Sequence, residues 1–262
     1  MQGQLPGGHE KSIVVTLVQS VRLLGEEGLQ LLRLAGELHG GTPVTFRLAR
    51  ATLGRAFSLN DQDTEEYFAR AVNQLESHSL ATVSLGGAAG DILTIHSMVC
   101  YTMVHGDPAG SEAAELRKTL LTAAVSALNE ILEDVVDIRT HARLEFELDN
   151  ARHLVPTPRT ANEARLTNWL ARHEGERGSY REARAIALMA LPILEHNLGP
   201  DHPDTLATRS NIASWTGETG DPHEALRLFR ELLPDLARLL GPNHPYTAVT
   251  REWITFLQHQ EK

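Results

Sequence analysis

The sequence predicts a mainly helical protein in which a small domain with a β-hairpin precedes an α-α solenoid. Leu and Ala are abundant, whereas aromatic residues make up only 5% of the 262 residues, which favours helices. A stretch of the second half recurs at an offset of 42 residues, which is typical of a stacked helical repeat. In the first half, the hydrophobic period changes from helical to alternating near Leu80, which predicts the hairpin.

Residues 10–108 are predicted to form the first domain. Amphipathic helices are expected at about 12–24, 26–39, 43–55 and 64–77, and Asp63 is the expected N-cap of the fourth. Two strands follow at 80–85 and 92–96, joined by a Gly-rich turn, and a helix resumes at 97–105. Several helices followed by a two-stranded wing is the order of a winged-helix domain.

Residues 109–158 are predicted to form a helical linker hairpin. Apolar residues recur at helical spacing across 111–134, and a second helix is expected at about 140–154. Pro156 and Pro158 then end the helical pattern. Because terminal units of solenoids are often atypical, we expect this hairpin to cap the repeats.

Residues 159–262 are predicted to form about two and a half repeat units. The segment Leu198-Gly199-Pro200-Asp201-His202-Pro203-Asp204-Thr205 returns as Leu240-Gly241-Pro242-Asn243-His244-Pro245-Tyr246-Thr247. At this offset 16 of 42 aligned positions are identical, far more than unrelated segments share. Each unit is expected to be a pair of helices. In the second unit these are about 203–219 and a helix that buries Ala225, Leu226, Phe229, Leu232, Leu233, Leu236, Leu239 and Leu240.

The repeat motif and the first domain both resemble known families. The units, with Gly-x-x-x-Glu-Ala at the second helix, resemble kinesin-light-chain-type tetratricopeptide repeats, which implies a right-handed solenoid. The first domain resembles the winged-helix domain of bacterial STAND signalling ATPases, also called NB-ARC or NLR-like proteins. The stretches that carry this second resemblance are Val14–Ser20, Leu31–Ala35, Ala71–Leu80 and Leu93–Val99.

The second resemblance singles out His96. The stretch around it is similar to the Met-His-Asp motif of that family, with Ile95 and Ser97 at the outer positions. The resemblance implies that His96 contacts the β-phosphate of bound ADP, whereas a local structural role at the strand end is the alternative. The chain has no Gly-x-x-x-x-Gly-Lys-Ser/Thr loop, so ADP or ATP could be bound only through a nucleotide-binding module supplied in cis or in trans.

Composition and charge exclude several classes of function. The net charge is −10, and no basic cluster is present that would bind a phosphate backbone, so nucleic acid is not an expected partner. The predicted recognition helix is itself acidic, which disfavours DNA binding. The single cysteine, Cys100, fits a reducing cytoplasm, and no apolar run is long enough to span a membrane.

No catalytic or metal site is expected, so the chain is predicted not to be an enzyme. His202 and His244 occupy equivalent positions in the two turns, but they lack neighbouring ligands, and we expect them to order the turns. Cys100 lies in an apolar stretch and is expected to be a packed side chain. The remaining candidate site is the inner face of the repeats, formed by the first helix of each unit. Its predicted partner-binding residues are Asn168, Arg209, Asn211, Arg251 and Glu252.

These observations lead to three functional hypotheses. The first is a non-catalytic sensor fragment of a STAND-type ATPase, in which the repeats bind a protein or peptide trigger and the winged-helix domain couples that binding to the absent nucleotide-binding module. The second is a stand-alone tetratricopeptide adaptor that holds proteins together. The third is a winged-helix transcription regulator.

Overall fold

The computed structural model describes residues 16–17, 19–38, 41–95, 99–100 and 111–260. These residues form two compact units. The first unit comprises the residues described up to Ile131 together with Ala142–Leu154, and the second comprises Leu132–His141 and the residues from Val155 onward. The predicted fold class is confirmed, because a small antiparallel sheet among helices is followed by helices packed as tetratricopeptide-like repeats.

The elements of the first unit whose bounds lie wholly within the described residues are five helices and three strands. In chain order they are α1 (Glu26–Glu37), β1 (Val44–Thr45), α2 (Phe46–Phe57), α3 (Asp61–Ser77), β2 (Ala81–Gly87), β3 (Gly90–Ile95), α4 (Glu112–Ile131) and α5 (Glu145–Leu154). Leucines with no exposed surface fill the space between α1, α2, α3 and the sheet. They include Leu31, Leu48, Leu75 and Leu93.

The sheet has three strands in the order β1-β3-β2, and all neighbours are antiparallel. The sequence predicted only the hairpin and assigned residues 43–55 to one helix, so the start of that helix was predicted wrongly. Val44 instead pairs with Leu93, and Thr45 with Ile92. Thr45 is also the N-cap of α2, since its hydroxyl accepts a hydrogen bond from the Leu48 amide. The two β-branched residues therefore form the whole strand, and the second of them also caps the helix that follows.

The helix α3 begins three residues earlier than predicted. Its N-cap is Asn60, whose side-chain oxygen accepts a hydrogen bond from the Asp63 amide at 2.9 Å. The Asp63 carboxylate accepts in turn from the Asn60 side-chain amide at 2.7 Å. The prediction of Asp63 as the cap was wrong because both residues favour caps and sequence does not rank them.

The predicted linker residues are divided between the two units. The helix α4 ends at Ile131, and two short 3-10 segments follow at Leu132–Val136 and Ile138–Arg143. The first of these segments packs against the first repeat helix of the second unit. In contrast, α5 lies in the first unit, where Glu147 accepts hydrogen bonds from Thr45 and Arg47.

The second unit continues with five helices. They are α6 (Ala161–Glu176), α7 (Tyr180–Leu198), α8 (Pro203–Glu218), α9 (Pro222–Leu239) and α10 (Pro245–Gln260). Each helix packs against its neighbours in sequence. The core of the second unit is built largely from alanines with a few large side chains such as Trp215 and Phe229. Most of the predicted apolar face of α9 is buried, but Leu239 and Leu240 are 39% and 37% exposed, so their predicted burial was wrong.

The repeated Leu-Gly-Pro-Asx-His-Pro-x-Thr segments form the turns into α8 and α10. Gly199 and Gly241 have φ angles of +90° and +93°, which a side chain would disfavour. The His202 ring accepts a hydrogen bond from the Asp204 amide at 3.2 Å and is the N-cap of α8, as expected for a turn-ordering residue. The Thr205 hydroxyl donates to the Gly199 carbonyl at 2.9 Å, and the corresponding bonds recur at His244 and Thr247. The repeated residues therefore make repeated contacts.

Candidate functional site

The first helices of the three repeats, α6, α8 and α10, share a stripe of partly exposed residues. In each helix the stripe follows i, i+3, i+4 and i+7 spacing, which places its members on one face. We name these residues the inner face. They are Arg165, Asn168, Trp169 and Arg172 in α6, Ala207, Ser210, Asn211 and Ser214 in α8, and Val249, Glu252, Trp253 and Phe256 in α10. The stripe carries aromatic side chains in α6 and in α10, whereas in α8, between them in sequence, it carries only small or amide side chains.

Several polar side chains of the inner face have no hydrogen-bond partner in the described part of the chain. They include Asn168 and Asn211, together with Ser210 and Ser214. The side-chain oxygen of Asn168 and the indole nitrogen of Trp169 are both buried without a partner. A buried polar atom without a partner costs roughly 1–3 kcal/mol, so these two side chains would gain a hydrogen bond by turning their buried atoms toward a ligand or water.

The charges of the inner face are distributed unevenly between α6 and α10. The guanidinium of Arg165 is neutralised by Asp204, at 2.7 Å from its Nε. The guanidinium of Arg172 lies 5.6 Å from the centre of the Trp169 ring and forms no ion pair with the described residues. Glu252 is exposed on α10 and likewise lacks an ion-pair partner within the described ranges. An unpaired cation therefore lies on the first helix and an unpaired anion on the third.

The structure places three of the five predicted partner-binding residues on this stripe, namely Asn168, Asn211 and Glu252. Arg209 lies one position away and pairs with Asp235 of α9 at 3.0 Å. Arg251 occupies the same register in α10, where it is exposed. A shift of one residue turns a helical side chain by about 100°, which separates these arginines from the stripe.

An apolar pocket of about 220 Å³ lies beside the inner face, and sequence reasoning did not find it. Its walls come from α8, from the end of α9, from the turn that leads into α10 and from the first turn of α10. They are formed by Pro203, Leu206, Ala207, Ser210, Leu236, Leu240, His244 and Tyr246. Ala207 and Ser210 belong to both the pocket and the inner face. Leu240, which the helical pattern predicted to be buried, forms part of its wall and is 37% exposed.

The other candidate residues have different outcomes. His96 lies outside the described residues, so its nucleotide contact stays a prediction. Cys100 is buried, and burial raises the pKa of its thiol, which disfavours the thiolate. His202 and His244 cap helices, and the described residues contain no group of three His, Cys, Asp or Glu suited to a metal ion. No helix within the described ranges is long and apolar enough to cross a membrane.

Comparison with known proteins supports the assignment of the repeats. A comparison with curated proteins found no match. The sequence profile of the Tetratricopeptide repeat family matches residues 162–236, which span α6, α7, α8 and most of α9. Repeats of this family generally serve protein–protein interaction and are generally non-catalytic. Residues 162–236 are thus similar to tetratricopeptide repeats in sequence, and the helices that they form pack as such repeats do.

Proposed function

We propose that the inner face binds an extended segment of a protein or peptide. The observation that carries this proposal is the pair of unpartnered amides, Asn168 and Asn211, on a stripe that stays accessible in successive helices. A side-chain amide both donates and accepts, so it matches the amides and carbonyls of a peptide backbone. Of the other predicted contacts, Glu252 lies on this face, whereas Arg209 and Arg251 lie one residue away from it.

We further propose that this binding serves as the sensor of a STAND-type signalling ATPase. The first unit supports the proposal, because its order of helix, short strand, two helices and hairpin is that of a winged-helix domain. The strand order is β1-β3-β2, so the short strand pairs with the second strand of the hairpin. In this proposal the first unit couples trigger binding to a nucleotide-binding module in cis or in trans, and His96 contacts the nucleotide there. The chain itself performs no catalysis and works in the cytoplasm.

Selection of random displayed peptides on the intact chain tests the binding proposal. Enriched peptides would be synthesised with a fluorophore, and their affinity measured by fluorescence anisotropy. We expect Asn211→Arg to weaken binding at least about tenfold, which corresponds to about 1.4 kcal/mol. The matched control is Asn197→Arg, because Asn197 is an exposed asparagine on α7, away from the inner face. Equal affinities for the two variants would overturn the proposal.

The intact mass of the endogenous product tests the STAND proposal. We expect either a species well above the 28.8 kDa of this chain or a separate nucleotide-binding protein that co-purifies with it. In the full assembly, substitution of His96 should weaken ADP retention. A product of 28.8 kDa without such a partner would contradict the proposal and favour the adaptor hypothesis. The transcription regulator instead requires salt-dependent binding to duplex DNA, which is measurable at low salt.

A further inference from the structure

The apolar pocket between α8, α9 and the start of α10 has a floor of buried core leucines, Leu206 and Leu236, and a rim that remains accessible. Large apolar groups that usually seek burial are left accessible around it. Tyr246 is 55% exposed and Leu240 is 37% exposed, although both line its wall. Leaving such surface in water costs roughly 25 cal/mol for each Å², so covering the pocket is favourable.

The size and chemistry of the pocket restrict its occupant. Sites for whole small-molecule ligands usually measure about 300–1,000 Å³, whereas this pocket measures about 220 Å³. Its lining contains no carboxylate, lysine or arginine, so it offers no counter-charge to an ionised group. The ring nitrogen of His244 already accepts the Tyr246 amide at 3.3 Å. The pocket therefore suits one uncharged, bulky side chain and not a complete metabolite.

The position of the pocket relates it to the inner face. Ser210 lines the pocket and directly precedes Asn211. Ser210 also occupies the repeat position that Asn168 holds in α6. A polypeptide that places one side chain in the pocket would thus run beside amides that lack partners. Val249 and Phe256, which are 47% and 54% exposed, extend the apolar surface along α10.

We propose that this pocket receives one bulky apolar side chain of a polypeptide whose backbone is bonded by Asn168 and Asn211. The inference rests on the proposed function and specifies the class of partner. Its sequence would carry a Leu, Phe or Trp anchor, and the anchor would dominate the affinity, as large buried side chains commonly do in interfaces.

Capped single amino acids test the pocket without a known partner. The N-acetyl amides of Leu, Phe, Trp and Ala would be titrated into the isotope-labelled intact chain and followed by NMR. We expect shifts at the pocket residues with the three large side chains and at least about tenfold weaker binding of the Ala derivative. Shifts of equal size with all four compounds, or shifts elsewhere only, would overturn the proposal.

Filling the pocket provides the matched variant. Ala207→Leu places three further carbons against its wall and should abolish binding of the Leu, Phe and Trp derivatives. The control Ala185→Leu makes the same change at an exposed position of α7 and should leave binding unchanged. If Ala207→Leu does not fold, Tyr246→Ala removes one accessible wall instead and should weaken binding at least about tenfold. Retained binding in the folded pocket variant would contradict the assignment.

The peptides selected on the intact chain separate this inference from the proposed function. Peptides that lose affinity in both Asn211→Arg and Ala207→Leu, and that share a large apolar residue, support both. Peptides sensitive to Asn211→Arg but not to Ala207→Leu would overturn the anchor pocket and leave inner-face binding intact. Binding of the capped amino acids without any inner-face peptide would overturn the polypeptide assignment, because the pocket would then serve a small apolar molecule.

Discussion

Two glycines in equivalent repeat positions show how a single residue depends on its unit. Gly175 lies in the last turn of α6, and a Cβ added there would lie 2.7 Å from the indole ring of Trp215. Trp215 is 8% exposed and belongs to the core, so its ring has little freedom to move. Gly217 holds the same place in α8, but an added Cβ would meet the Ala225 methyl at 3.4 Å, an ordinary contact.

Substitution of the two glycines by alanine should therefore have opposite effects. Gly175→Ala is expected to lower the free energy of unfolding by about 1–3 kcal/mol through overpacking. Gly217→Ala should raise it by up to about 1 kcal/mol, because alanine restricts the unfolded chain and favours helix. Urea unfolding followed by circular dichroism measures both. A loss of stability in both variants of the same size would contradict this account.

Asp137 and Arg139 form an ion pair in the short segment that precedes α5. The Arg139 side chain donates to both Asp137 carboxylate oxygens, and its backbone amide donates at 3.0 Å. These bonds favour the ionised carboxylate and lower the pKa of Asp137 to about 2. Because the folded pKa lies below the unfolded one, any stabilisation is present above the unfolded pKa and is lost as the pH falls toward 2.

Removal of the arginine side chain should raise the pKa of Asp137. In Arg139→Ala we expect the pKa to move toward its ordinary value of 3.8 without reaching it, since the backbone amide still donates. A titration of the carboxyl carbon chemical shift by NMR measures the pKa in both proteins. An unchanged value would show that the side-chain bonds are not formed in solution.

At the scale of elements, one buried carboxylate joins α5 to β1 and α2 in the first unit. Glu147 has no exposed surface, and it accepts hydrogen bonds from the Thr45 hydroxyl and from the Arg47 Nε, the latter at 2.7 Å. The Arg47 guanidinium also donates to the Arg143 carbonyl at 2.7 Å. A helix distant in sequence is thus attached at the residue that ends the strand and caps α2.

Loss of this carboxylate should weaken the first unit. Glu147→Ala leaves the Thr45 hydroxyl and the Arg47 guanidinium without their acceptor, although Arg47 is 31% exposed and can be partly hydrated. We expect a loss of about 2–3 kcal/mol, somewhat less than for a fully buried pair. Glu145→Ala, at an exposed site of the same helix, should change stability by no more than about 0.5 kcal/mol. Similar losses in both variants, measured by urea unfolding, would contradict the role of Glu147.

At the scale of the whole molecule, the second unit behaves as a stack in which each helix depends on its neighbours. Ala171 in α6 and Ala213 in α8 hold equivalent repeat positions, and both are buried. The equivalent residue in α10 is Thr255, which is exposed. In the two complete units a second helix covers this side, whereas no described helix covers it in α10. The polar residue at this position suits an outward face.

Hydrogen exchange on the intact chain should reveal this difference in cover. We expect the amides of α10 to exchange at least about tenfold faster than those of α8, because local opening of a helix covered on fewer sides costs less free energy. Equal protection in the two helices would show that α10 is covered in solution. Mass spectrometry of peptides from each helix measures both rates in one sample.

Much of the fold could be predicted from local patterns. The period of 42 residues, the Gly and Pro positions and the apolar spacing predicted the repeat helices, and His202 was expected to order its turn. These features could be predicted because capping bonds and helical faces involve residues close in sequence. The exact first residue of a helix was harder to predict, since Asn60 and Asp63 are both suitable caps for α3.

By itself, then, the sequence determined the helical class, the repeat and its turns, since each of these depends on contacts within a few residues or on a regular period. Only the tertiary structure decided the third strand, the register of the inner face and the apolar pocket. Val44 and Thr45 are too few to show alternation, and their pairing partner lies beyond two helices. A shift of one residue, about 100° of rotation around the helix, separates Arg209 from the stripe that holds Asn211. The pocket combines α8, α9 and the next turn, and a surface made by three separate segments has no pattern in any one of them.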